Sequence, residues 1–222
     1  MERGLLLSGI VLLGVFVAAY VHREIMVRAE MERFKEAQIQ ESQRPANPHT
    51  IVTKSEADST ARDARQSALL EMDPALRPAR RASGAESRPN GNAVTPMAVL
   101  RIPKLNLEVP VLNGTDRFTL NRGVGRIPGT AFPGETGNIG IAGHRDGFFR
   151  GLKDIHTGDK IELLTAKGTD IYTVDRILIT DPSDVSVLDS GTKPALTLVT
   201  CYPFHYIGPA PRRFIVEASL QQ

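Results

Sequence analysis

The chain has 222 residues, 41% of them hydrophobic, and 27 Lys and Arg against 25 Asp and Glu leave a formal charge of only +2. That balance offers no basic footprint for nucleic acid, and the length allows one respectable core with segments to spare. A single cysteine excludes a disulfide framework and any paired-cysteine metal or redox motif.

Residues 1–3 form a short tail. Gly4 to Val21 then runs eighteen residues without a charge. As a helix it is about 27 Å long, close to the bilayer core. It reads as a transmembrane anchor. The alternative is a signal segment, because Val17-Ala18-Ala19 resembles a small-residue cleavage site and Arg3 supplies a minimal basic start. Arg23, Arg28, Arg33 and Lys35 follow the span, so a positive-inside count taken alone puts the C-terminal bulk in the cytoplasm.

Residues 22–92 read as a helical or disordered stalk. His22 to Gln43 is charged and helix-permissive. Between Lys35 and Arg117 there is no Phe, Tyr or Trp. The Ala, Ser, Arg, Glu, Pro and Asn composition from Arg44 to Thr95 cannot offset the chain entropy of folding. A transient helix is expected around Ser59 to Met72, and the Arg80-Arg81 neighbourhood reads as solvated linker.

Residues 93–222 form the folded unit, and the fold class is all-β. Met97 to Ile102, Val109 to Leu112, Gly137 to Ala142, Lys160 to Thr165, Asp170 to Ile179, Ala195 to Thr200 and Arg213 to Ala218 are short apolar or alternating runs. Gly, Pro, Asn and Asp clusters divide them, the pattern of a sandwich or closed barrel. Gly123 to Gly134 is expected to be an irregular connection.

Cys201 closes the alternating run Ala195 to Thr200, in which Leu196 and Leu198 face one side and Thr197 and Val199 the other. Pro203, Gly208, Pro209 and Pro211 then describe a loop leaving the sheet. If the next strand, Arg213 to Ala218, pairs antiparallel with the first, Cys201 and Arg213 emerge at the same end. A thiol is mostly protonated at neutral pH, so a nucleophilic cysteine needs a cation or a base beside it. Arg213 supplies charge and a planar donor fork for an oxygen that turns negative.

Five histidines compete to be the proton carrier. His22 abuts the apolar span and His49 lies in the stalk. His156 sits in a turn, and His205 shares the cysteine's own loop. His144 follows Ile139-Gly140-Ile141-Ala142 and one glycine, so it too leaves a strand end. On these grounds His144, Cys201 and Arg213 form a candidate constellation, although a lone cysteine is commonly just a small buried hydrophobe.

Thr197-Leu198-Val199-Thr200-Cys201 with an arginine a dozen residues later, and Asn138-Ile139-Gly140-Ile141-Ala142-Gly143-His144, resemble the sortases, membrane-anchored cysteine transpeptidases of bacterial surfaces. Leu100-Arg101-Ile102-Pro103-Lys104-Leu105, Leu120-Asn121-Arg122-Gly123-Val124 and Val185-Ser186-Val187-Leu188 fall in the family's order. Cys201-Tyr202-Pro203-Phe204 with Gly208 and Ala210-Pro211 is most similar to class D.

The resemblance implies a closed eight-stranded β-barrel with short helices. It implies Cys201 as nucleophile, His144 as general acid then base, Arg213 on the substrate backbone or oxyanion, and Thr200 lending its hydroxyl or backbone to the oxyanion site. Implied partners are secreted proteins carrying a C-terminal sorting signal like Leu-Pro-x-Thr-Gly or Leu-Pro-x-Thr-Ala, and an amine acceptor, either wall peptide or protein lysine. The implied location is the bacterial cytoplasmic membrane, single-pass, with the catalytic domain outside, which overrules the charge count above. Glu108, Asp116 and Asp189 are too scattered to match the calcium site of some members, so no metal or other cofactor is expected. A hydrolytic cysteine peptidase, a cell-wall cysteine transpeptidase and a non-catalytic membrane-tethered β-barrel binding module remain alternatives.

Overall fold

The computed structural model describes residue 13, residues 54–71 and residues 95–221 except 192 and 207. The expected membrane segment, 4–21, therefore lies outside the described residues apart from residue 13, as does most of the 22–92 stalk. Among the described residues no helix is long and apolar enough to cross a membrane.

Eight strands form the body: β1 (Ala98–Ile102), β2 (Leu107–Asn113), β3 (Val124–Arg126), β4 (Asn138–Ala142), β5 (Lys160–Thr165), β6 (Gly168–Thr180), β7 (Ala195–Tyr202) and β8 (Arg212–Leu220). They close into a barrel in the order β1-β2-β3-β4-β7-β8-β6-β5. Neighbours are antiparallel except β2 with β3 and β4 with β7, which run parallel. Alternation decides which side chains fill it. Leu100, Ile102, Val109, Val111, Ile139, Ile141, Leu196, Leu198, Phe214 and Val216 belong to the main core cluster. The intervening residues Ala142, Val199 and Ile215 join a second cluster on the opposite face of their strands, together with Leu120, Ile127 and Leu188.

Seven of the strands match runs expected from the sequence, with ends differing by a few residues. β3 does not: Val124-Gly125-Arg126 lies inside the stretch expected to be irregular. Three residues containing a glycine carry no readable period, and the pairing is dictated by neighbours, parallel to β2 and antiparallel to β4.

Where a transient helix is expected around Ser59 to Met72, residues Lys54–Glu71 form an 18-residue helix, α1. What the sequence does not show is that it packs on the barrel, through the second cluster by Ala68 and Leu69. So few apolar side chains carry little burial free energy. Polar ties add to it: Thr115 Oγ1 donates to Ala68 O at 3.4 Å, and Arg65, 2% exposed, donates from Nε to Gly129 O at 3.1 Å and from Nη1 to Asp189 Oδ1 at 2.7 Å and Leu188 O at 3.4 Å. Gly129, at φ +80°, permits this approach, since a Cβ there would stand 2.4 Å from Ala61 O. A polar docking face of this kind leaves no hydrophobic stripe in the sequence.

A short helix, α2 (Arg117–Arg122), starts at Asp116, whose carboxylate accepts from Phe118 N at 2.9 Å and Thr119 N at 3.1 Å. It sets Arg117 on the same side of the barrel as the end of β4.

Candidate active site

The pairing of β7 with β8 places Cys201 directly opposite Arg213. Directly paired residues of an antiparallel ladder share a face, here the face that carries Val199, Ile215 and the second cluster. β4 lies on the other side of β7, in parallel register through Ala142 opposite Val199. The register continues one step beyond β4, because Gly143 N donates to Val199 O at 3.1 Å. His144 and Cys201 consequently leave adjacent strands at neighbouring positions. The three residues singled out in the sequence stand side by side at one end of β4, β7 and β8.

Local packing fixes each of them. The His144 carbonyl accepts from Gly147 N at 3.1 Å and Phe149 N at 3.2 Å, which winds the chain into the 3-10 segment Phe148–Asp154. Phe149 is fully buried and lies against Gly143, where a Cβ would approach its ring to 2.7 Å. Gly143→Ala is expected to destabilise the domain by about 1–3 kcal/mol, the usual cost of overpacking, and to displace His144 as Phe149 yields. Thermal melting and turnover of the variant check both effects, and an unchanged melting temperature would mean that the ring relocates without strain.

Cys201 is buried, 7% exposed, and the Tyr202–Pro203 peptide bond that follows it is cis. Arg213 is 1% exposed. Its Nη1 donates to Ala210 O at 3.3 Å and Arg212 O at 3.2 Å, and its Nη2 donates to Leu69 O of α1 at 3.2 Å. Its Nε is buried without a hydrogen-bond partner among the described residues. That leaves the Nε donor of a buried guanidinium unspent, and Nη2 directed at the docked helix.

Thr200 is fully buried and its hydroxyl donates to Gly143 O at 2.7 Å. The side chain expected to help an oxyanion is spent in tying β7 to the residue before His144. The other histidines lie elsewhere. His156 is exposed, in the turn where the sequence put it, its Nδ1 3.0 Å from both Asp154 O and Lys104 Nζ. His205 is exposed in the β7–β8 loop, and His22 and His49 are outside the described residues. The three scattered acids have separate partners: Glu108 pairs with Arg101, Asp116 caps α2, and Asp189 pairs with Arg65.

His144 is half-buried, and burial holds its pKa below the usual histidine value. The Asp146 carboxylate opposes that shift and the Arg117 guanidinium adds to it. The resting imidazole is therefore predominantly neutral at pH 7. Asp146→Asn should push the His144 titration to still lower pH, and Arg117→Gln should move it up. An NMR titration of the ring, assigned with His144→Ala, checks the signs, and two variants titrating like the parent would show both charges to be screened by solvent.

Sequence reading missed two residues. Arg145, next to His144 in the chain, donates to three carbonyls of the β7–β8 loop. Arg65 was part of the stalk. Neither side chain carries a periodic signal. For Arg145 the available clue was its adjacency to the histidine.

Comparison with known proteins places this arrangement. The Sortase domain family matches residues 100–221. The chain is 40% identical over 119 residues to Sortase D of Bacillus subtilis (strain 168), covering 53% of this chain and 60% of that protein. It is 38% identical over 125 residues to Sortase SrtE1 of Streptomyces coelicolor, covering 48% and 36%. The chain thus spans less than two thirds of these relatives. The solved structure of a Clostridium perfringens Sortase D5 transpeptidase is similar with TM-score 0.53 and 31% identity, over 58% of this chain and 80% of that one.

Proposed function

Because the chain belongs to the sortase family of cysteine transpeptidases, most like class D, we propose that it cuts a C-terminal sorting signal of a secreted protein and joins the protein to an amine. The observation that carries this reading is the register that sets His144, Cys201 and Arg213 at the ends of three adjacent strands.

In the proposed reaction the Cys201 thiol gives its proton to the neutral His144 imidazole, and the resulting thiolate attacks the carbonyl carbon of a Thr-Gly-type or Thr-Ala-type bond, whose oxygen becomes an oxyanion. Arg213 stabilises it, using the unspent Nε and the Nη2 now directed at Leu69. The C–N bond breaks as His144, in its imidazolium form, protonates the leaving amine, and a thioester links the substrate to Cys201. The neutral imidazole then takes a proton from the incoming amine as it attacks the thioester. A new amide forms and the thiolate departs. Thr200 keeps the two strand ends in register.

Residues 4–21 are proposed to anchor the chain in the bacterial cytoplasmic membrane with the barrel outside. The uncharged span supports this, as does a substrate available only after export.

Incubating the chain with peptides varied around Leu-Pro-x-Thr-Gly and Leu-Pro-x-Thr-Ala, with and without a glycine or diamine acceptor, tests the reading by mass analysis of the products. Acceptor-dependent ligation that disappears in Cys201→Ala is the expected result. Cleavage in which added amine is never incorporated would replace transpeptidation by hydrolysis.

A further inference from the structure

Arg145 follows His144, and its guanidinium crosses to the loop that leaves Cys201. Nη1 donates to Pro203 O at 3.0 Å, and Nη2 donates to Tyr206 O and Gly208 O, each at 2.9 Å. The guanidinium carbon also lies 5.7 Å from the centre of the Tyr206 ring. The loop's far end is held by Arg213 Nη1, which donates to Ala210 O. His205, Tyr206, Gly208 and Pro209 are all exposed, and the aromatic packing of Phe204 against Tyr202 and Phe214 secures only the loop's beginning.

A second link joins the same two backbone segments on the other side of the pair. Thr200, immediately before Cys201, donates to the carbonyl of Gly143, immediately before His144. Arg145, immediately after His144, donates to the carbonyl of Pro203, two residues after Cys201. The cysteine and the histidine thus sit between two cross-ties, one fully buried and one charge-assisted.

We propose that Arg145 is a positioning residue for Cys201 and His144, bracing the loop beyond the thiol against the turn that carries the imidazole. Its kinetic consequence rests on the transpeptidase reading above; its effect on the thiol does not. Three acceptors at the two ends of one planar fork suit a guanidinium better than an ammonium. Lysine keeps the charge but reaches the loop from a single nitrogen.

The test compares Arg145→Met and Arg145→Lys with the parent in the full chain. One readout is ligation kinetics. The other is the pH dependence of Cys201 alkylation by iodoacetamide, which requires no peptide substrate and reports on the only cysteine in the chain. Arg145→Met is expected to lower kcat about 10- to 100-fold while KM changes by less than about threefold, the signature of misplaced reacting groups. Arg145→Lys should recover part of the loss. The alkylation profile of Arg145→Met should move toward that of His144→Ala while thermal melting stays cooperative. An alkylation profile superimposable on the parent's overturns the proposal, whether or not a ligation substrate is known. Equal losses of kcat in both variants, tracking loss of folded protein, overturn it as well. If the parent ligates no peptide yet the alkylation profile still shifts, the transpeptidase reading fails and the brace stands.

Discussion

Cys201→Ala, His144→Ala and Arg213→Ala, each introduced singly into the full chain, are expected to abolish detectable ligation for three separable reasons. Cys201→Ala removes the atom that forms the thioester, so no acyl-enzyme accumulates and hydrolysis is lost with ligation. His144→Ala removes the proton carrier of both half-reactions, a contribution of about 10²- to 10⁴-fold in each. Arg213→Ala withdraws oxyanion donors worth about 10²- to 10³-fold in kcat. It also costs stability, because a guanidinium that is 1% exposed withdraws its hydrogen bonds to the Ala210, Arg212 and Leu69 carbonyls. Arg213→Lys separates the two effects: the charge persists, but the Nε donor that is unsatisfied at rest is gone. Trapping of an acyl-enzyme by mass spectrometry, alongside melting of each variant, is the measurement. Wild-type turnover in Arg213→Lys would remove that residue from the oxyanion and leave it a structural cation. Losses in double variants should fall well short of the product of the single losses, since the three groups act as one unit.

Arg65→Ala should do the opposite and raise turnover, although it removes a buried, ion-paired side chain. In the proposed reaction a substrate carbonyl uses the Arg213 donor that Leu69 O occupies here, and Ala68 and Leu69 pack beside Val199 and Ile215 on the same face. A substrate that reaches Arg213 must therefore displace the end of α1, and apparent affinity is reduced by the fraction of molecules in which the helix has moved. Arg65 is a buried polar tie of α1, and hydrogen bonds to charged groups contribute roughly 1.5–3 kcal/mol each. Losing one such tie is expected to increase kcat/KM about tenfold or more, at 1.4 kcal/mol per factor of ten. Iodoacetamide should label Cys201 faster in the same variant. Unchanged kcat/KM with unchanged labelling would mean that α1 stays docked without Arg65, or that it never obstructs the groove.

The parts of the site that were legible in the sequence are those carried by alternation and punctuation. Ala195 to Thr200 alternates, prolines and glycines end it, and Arg213 to Ala218 alternates in return, so the common end of Cys201 and Arg213 followed from counting. His144 followed from one glycine after an apolar run. The parallel neighbourhood of β4 and β7, which makes His144 adjacent to Cys201, is a non-local pairing between strands more than fifty residues apart and leaves no local trace. β3 was hidden because three residues are too few to show a period. The docking of α1 was hidden for a different reason: its anchor is an arginine and its contact with the site is a main-chain carbonyl, and neither is distinguished from a solvated helix by composition. Of the two ways in which Thr200 was expected to serve the oxyanion site, the hydroxyl is donated to Gly143 O, which only the fold reveals, and the backbone stays a proposal.

Closure of the barrel bears on how the proposed sorting peptide would be recognised. Each of the eight strands has a neighbour on both sides, so no strand offers a wholly free edge for the main-chain zippering by which many domains capture extended peptides. Pairing gives out only at strand ends: β4 stays with β7 as far as Val199, while β7 runs on to Tyr202. A peptide taken up as proposed would be read mainly by the shapes and charges that the connecting loops raise around the end of β4, β7 and β8, and selectivity among signals should follow exchange of those loops while the strands stay as they are.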